Sequence, residues 1–114
     1  MAVSQTLVQE VSKLEANLCS ALADPTRLLM LYALGESPHN VTELSNELAL
    51  PQPTTSRHLK VLRERGLVHA TRQGVSIQYE LADPRLIQAL DLLRSVLRDS
   101  LARRANLMEE IQAE

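Results

Sequence analysis

The apolar positions of this chain keep two rhythms, and the switch between them divides the sequence. Over residues 3–18, Leu7, Val11, Leu14 and Leu18 recur four, three and four apart, which is the seam of an amphipathic helix. Residues 19–22 continue as a short helical piece. Asp24-Pro25 then signals a restart: a carboxylate to cap free N–H groups, and a proline where a missing donor costs little. The next helix carries Leu28, Leu29, Leu31, Tyr32 and Leu34 and is expected to stop near Gly35, with 36–39 as a loop. Asn40-Val-Thr-Glu43 has the form of a capping box and opens a short helix over 41–48, with Leu44 and Leu48 inward. Ala49-Leu50 turns into a helix within 51–66. There Pro51 and Pro53 suit the first turn, and Thr55, Leu59 and Leu62 share an inward face. Gly66 fits the left-handed position just past a helix end.

Beyond Gly66 the period drops to two. Residues 67–73 and 75–81 flank Gly74, and Val75, Ile77, Tyr79 and Leu81 alternate with Ser76, Gln78 and Glu80. That is a two-stranded hairpin with one buried face. Asp83-Pro84 repeats the helix-start signal, and no Gly or Pro follows it through residue 111. Leu86, Leu90, Leu93, Leu97 and Leu101 keep helical spacing there, extended by Met108 and Ile111. The fold class is therefore mainly α with a β-hairpin wing (α+β): a winged helix-turn-helix of about five or six helices, in a single domain over 1–114. The terminal helices, about 2–18 and 84–111, carry more apolar stripe than one small core covers. Either they pair with their copies in a homodimer, or they wrap the core of their own chain. The excess of stripe over core favours the homodimer.

Composition sharpens this picture in three places. The chain has no Trp, no Phe and two Tyr, so its core is aliphatic, and a domain of this size gains burial by pairing. Net charge is −2, yet residues 51–74 carry Arg57, Lys60, Arg63, Arg65 and Arg72 against Glu64 alone. That segment is about +4 and the remainder about −6. The patch either docks phosphate or is a solvated helix face. A lone cysteine, Cys19, cannot close an intrachain disulfide. With no signal peptide and no membrane-spanning apolar run, a cytoplasmic setting is expected. The chain has no glycine-rich phosphate loop, no paired catalytic carboxylates and no nucleophile–histidine arrangement, so an enzyme is not expected.

The polar side of residues 51–66 offers Gln52, Thr54, Ser56, Arg57 and Lys60. Short hydrogen-bonding side chains at a helix start, followed by cations, are what major-groove reading requires. With these motifs in view, the chain resembles the ArsR/SmtB family of bacterial winged-helix repressors. The residues carrying the resemblance are Leu22-Ala-Asp-Pro-Thr-Arg27, Val41-Thr-Glu-Leu44, Pro51-Gln-Pro-Thr-Thr-Ser-Arg-His-Leu59, Val61-Leu-Arg-Glu-Arg-Gly-Leu-Val68 and Tyr79-Glu-Leu81. They stand in the family's order over roughly 18–90, and Ser56-Arg-His-Leu59 is the most specific part. The resemblance implies a homodimer that binds an imperfect palindrome in double-stranded DNA and answers to an effector, here unknown. It implies base reading by Gln52, Pro53, Ser56 and Arg57. Arg57 suits guanine O6 and N7, and Gln52 suits adenine N6 and N7. Ser56 and Thr54 suit bases or phosphates, and Lys60 a phosphate or solvent. His58 either touches DNA or faces inward. Arg72 and Gln73 flank the wing tip, where Arg72 either enters the minor groove or is a solvated strand-end charge. The alternative function is a winged-helix interaction module without sequence-specific DNA binding.

Many members of that family hold a metal, and the resemblance locates two sites. Ser45 and Glu47 stand where one site has paired thiolates, and serine is a poor ligand for soft or borderline metals. The other site uses Asp-x-His near the last helix with a later His. Here the sequence reads Asp83-Pro84-Arg85, with no histidine after His69. Both sites therefore lack their usual ligands, and no cofactor is evident. His39, His58 and His69 lie in three separate elements, and structural or solvent roles are expected of each. Cys19 has two readings: a buried, inert thiol beside Leu18 and Leu22, or a redox or metal-ligating thiol acting between subunits.

Overall fold

The structure, a computed structural model, describes residues 3–113. They divide between Asp83 and Pro84 into two compact units, and each is described by itself.

The first unit opens with α1, Gln5–Leu14, capped by Ser4, whose Oγ accepts from the Leu7 N–H at 3.1 Å. The expected start at residue 2 lies outside the described residues. A wider π-helical turn follows at Glu15–Cys19, where the Ser20 N–H reaches the Glu15 carbonyl five residues back. The rod ends in α2, Ser20–Leu22. Helix α3, Pro25–Glu36, starts as expected: Asp24 accepts from the Arg27 N–H at 3.1 Å and Pro25 fills the first turn. Its end differs from the expectation. The helix runs through Gly35, and Ser37 leaves it in extended conformation. The breaker is Pro38, whose ring excludes helical backbone at the residue before it. Of its apolar residues Leu29 is 57% exposed, and Met30 is fully buried.

Helices α4, Val41–Leu48, and α5, Gln52–Glu64, form the helix-turn-helix. The capping box is complete: the Glu43 N–H donates to Asn40 Oδ1 at 2.8 Å and the Asn40 N–H to Glu43 Oε1 at 2.9 Å. Both helices end in one motif, a left-handed residue flanked by two reversed hydrogen bonds. After α4, Ala49 takes φ 54°, with Ala49 N–H to Asn46 O at 3.3 Å and Leu50 N–H to Ser45 O at 2.9 Å. After α5, Gly66 takes φ 74°, with Gly66 N–H to Arg63 O at 3.0 Å and Leu67 N–H to Leu62 O at 2.9 Å.

Strands β1, Val68–Gln73, and β2, Ser76–Leu81, pair antiparallel in the register Val68↔Leu81 to Gln73↔Ser76. This leaves a two-residue turn, Gly74-Val75. Only the first of the pair has positive φ, 63° at Gly74, the pattern of a type II′ turn. Val75, expected on the buried face, is therefore the fully exposed tip, and Ile77 is 39% exposed. Burial is confined to the wing's base. There the Tyr79 backbone pairs with His39 at 2.8 and 3.0 Å, adding a one-residue bridge to the hairpin.

The core of this unit is aliphatic: Met30, Leu31 and Leu34 of α3, Leu44 of α4, Leu59 and Leu62 of α5, then Leu67 and Val68. Its buried hydroxyls are satisfied. Ser45 Oγ donates to Thr55 Oγ1 at 2.9 Å, and Thr55 Oγ1 donates to the Pro51 carbonyl at 3.2 Å. This short chain of bonds fixes α4 on α5 inside the turn. By contrast α1 buries no residue, and Leu7, Val8, Val11 and Leu14 are 45–50% exposed.

The second unit is α6, Arg85–Ala113, a helix of 29 residues. Leu90 is its buried residue. Leu93, Val96, Leu97, Leu101, Met108 and Ile111 are each 51–62% exposed. Among the described residues, no helix is long and apolar enough to cross a membrane.

Candidate nucleic-acid interface

The inward face of α5 is fixed by Thr55, Leu59 and Leu62, so the residues between them point out. Gln52, Pro53, Ser56, Arg57 and Lys60 are all exposed. They fall three and four apart and so share one face. Gln52 Nε2 donates to Thr42 Oγ1 at 3.1 Å, which steadies the amide from the first turn of α4. Arg57 Nη2 donates to Thr54 Oγ1 at 3.4 Å, which leans the guanidinium toward the helix start. Thr54 is half-buried.

That helix start differs from those of α1, α3 and α4. Ser4, Asp24 and Asn40 cap α1, α3 and α4 through their side chains, whereas no side chain caps α5. Its first amides and the positive end of its dipole lie at an exposed position, where an anion such as a phosphate is stabilised. Arg72 and Gln73 are exposed at the end of β1, directly before the turn.

Two basic-segment side chains turn away from this face. His58 is half-buried, with Nδ1 3.4 Å from Arg27 Nη1. Of its two readings, the geometry has it inward, against α3. Arg65 sits just past α5 and reaches back to the first helical rod, donating to the Ala16 carbonyl and, at 3.3 Å, to Ser20 Oγ. Its charge therefore belongs to the back of α5. The roles of Thr42, Arg27 and Arg65 had no signal in the sequence, because each partner lies ten or more residues away.

Asp24 lies beside this network. The Arg27 N–H bonded to its carboxylate holds its pKa below the ordinary value, the charges of His58 and Arg27 add to this, and partial burial opposes it.

The positions compared with metal sites are engaged otherwise. Ser45 is buried and bonded to Thr55. Glu47 pairs with His39 Nε2, while His39 Nδ1 lies 2.7 Å from the Ser37 carbonyl. No group of three or more His, Cys, Asp or Glu side chains that could hold a metal is found among the described residues. The reading of Cys19 as buried is corrected, since its side chain is exposed. It ends the π-helical turn with Leu18 and Leu22 half-buried on either side, and its own side faces out of the chain.

Comparison with known proteins agrees with this geometry. Residues 24–70, from α3 through the helix-turn-helix to the first residues of β1, match the model of the arsR family of bacterial regulatory proteins. The HTH-type transcriptional regulator NmtR of Mycobacterium tuberculosis is 41% identical over 88 residues, covering 77% of this chain and 69% of that protein. The HTH-type transcriptional repressor SmtB of the same organism is 40% identical over 78 residues, covering 68% of this chain. The aligned region spans 58% of the SmtB length. Among solved structures, Rv0081 of M. tuberculosis superposes with a TM-score of 0.75 at 34% identity, covering 83% of this chain and 96% of that one. On these grounds the chain belongs to the arsR family of bacterial regulatory proteins, and is a winged helix-turn-helix transcriptional regulator rather than an enzyme.

Proposed function

We propose that this protein is a homodimeric repressor of a two-fold symmetric operator, with α5 of each half in a major groove and the wing tip in the neighbouring minor groove. The observation that carries this reading is the outward face of α5. Gln52, Pro53, Ser56, Arg57 and Lys60 stand together at an uncapped helix start, and the hairpin ending in Arg72 and Gln73 follows. In this reading Arg57 and Gln52 specify bases, while Ser56 and Thr54 serve bases or phosphates. Lys60 neutralises phosphate and Arg72 enters the minor groove. His58 acts from behind by contacting Arg27.

The half-exposed stripes of α1 and α6 support the homodimer, since leucines exposed in such numbers call for a partner surface. The name of SmtB, a repressor, supports repression over activation. A bacterial DNA-binding regulator works beside the chromosome, hence in the cytoplasm. An interaction module without DNA binding is not favoured, because the relatives are named transcriptional regulators. We assign the chain no resident metal, because Ser45 and Glu47 are already bonded to Thr55 and His39.

The test is duplex binding by the full chain across a salt series, with sedimentation of the complex. The reading requires two chains per duplex and a steep loss of affinity with salt, about 0.9 in log–log slope per neutralised phosphate. Arg57→Ala should lose about 1–3 kcal/mol of discrimination at one base position in each half. A single chain per duplex, or binding indifferent to salt and sequence, would overturn it.

A further inference from the structure

The back of α5 holds a feature that DNA reading does not use. The first helical rod ends in the π-helical turn and α2, so its last carbonyls have no helical partner. Arg27 collects the last of them, and Arg65 takes a carbonyl of the π-helical turn itself. Arg27 of α3 donates from Nε to the Ala21 carbonyl at 2.6 Å and from Nη2 to the Ser20 carbonyl at 3.4 Å. Its remaining nitrogen, Nη1, meets His58 of α5 at 3.4 Å. Arg65, one residue past α5, donates to the Ala16 carbonyl and to Ser20 Oγ. Ser20 Oγ in turn donates to the same Ala16 carbonyl at 2.7 Å. The reader helix is therefore tied to the C-terminal part of the first rod twice, through His58 and Arg27 in its middle and through Arg65 at its C-terminus. Positive charge at a helix C-terminus is also favoured by the dipole.

We propose that Arg65, with Arg27, is a clasp that sets the reader helix against the first helical rod, and so sets the separation of the two half-sites. The inference rests on the homodimer proposed above. If α1 is held at the two-fold axis, whatever fixes α5 to the rod fixes the distance between the two reader helices. Arg65 is then a positioning residue that touches no DNA. Its basic neighbours Arg57 and Lys60 act on the outward face, and Arg65 acts on the geometry behind it.

The test is selection of bound duplexes from a random-sequence pool by the full chain, comparing wild type with Arg65→Ala and Arg65→Met. The methionine variant keeps the apolar stem and safeguards folding if alanine does not. Wild type is expected to select paired half-sites at one separation, close to one helical turn. Both variants are expected to select the same half-site bases at several separations. Their affinity for the wild-type spacing should fall about tenfold, within the range by which coupling residues act, with an unchanged salt slope. A variant that keeps the single separation and full affinity overturns the clasp. So does altered base preference, or a salt slope reduced by about one, because either means that Arg65 contacts DNA. Wild type selecting no paired half-sites overturns the homodimeric operator reading, and the clasp with it.

Discussion

In α3 to α5 the apolar positions that recur every three or four residues are buried: Leu31, Leu34, Leu44, Leu59 and Leu62 are at most 3% exposed. In α1 and α6 the same spacing leaves Leu7, Leu14, Leu97 and Leu101 at 47–57% exposed. The first group closes a core within one chain, and the second presents a stripe that stays half exposed. A helical period says which face is apolar, and it does not say what covers that face. The difference also separates two kinds of stability. Packing in the first group is a property of the single chain, whereas burial of the second depends on protein concentration if a second copy supplies it.

The sharpest test of this contrast is Leu59→Ala against Leu97→Ala. Leu59→Ala should cost about 2–5 kcal/mol in urea unfolding, whatever the protein concentration. Leu97→Ala should stay within about 0.5 kcal/mol in a dilute, single-chain sample and lose stability only where copies associate. Equal, concentration-independent losses would break the comparison. Replacing Leu97 and Leu101 together by Glu should go further, reducing the sedimenting species to one chain while near-native helix content remains by circular dichroism.

Smaller effects test whether the reader unit is self-contained. Asp24→Ala removes the cap of α3 and should cost about 1 kcal/mol. The carboxyl is held below its ordinary value in the folded chain. Its contribution is therefore present above the unfolded value of about 3.9 and is lost as pH falls through the lower folded one. Wild type and variant should accordingly converge on acidification in paired melts. Gly66→Ala should cost about 1 kcal/mol through its left-handed backbone alone, because a methyl group there meets no atom within 4 Å. Ala49→Gly, at the equivalent position after α4, should move stability the other way by less, since glycine's extra freedom when unfolded offsets the relief.

Much of the fold was legible because its signals are local. Asp24-Pro25, the Asn40–Glu43 box, Gly66 and the hairpin turn at Gly74 each act within a few residues, and each stands where the sequence indicates. The errors fell where a local rule met a competing one. Gly35 reads as a stop, but Pro38 ends the helix by constraining Ser37. Alternation puts Val75 inward, but the two-residue turn takes it out of the strand. Of the two readings of Cys19 the buried one fails, because the leucines beside it are themselves only half-buried.

For the candidate site, the sequence alone determined which side chains α5 turns outward. That follows from where Thr55, Leu59 and Leu62 must go, and a helix permits only one arrangement of the rest. Tertiary structure decided what stands behind them: Thr42 on Gln52, Arg27 on His58, Arg65 on the end of the first rod, and His39 on Glu47. Long polar side chains choose partners by distance in space, and spacing along the chain carries no record of that distance.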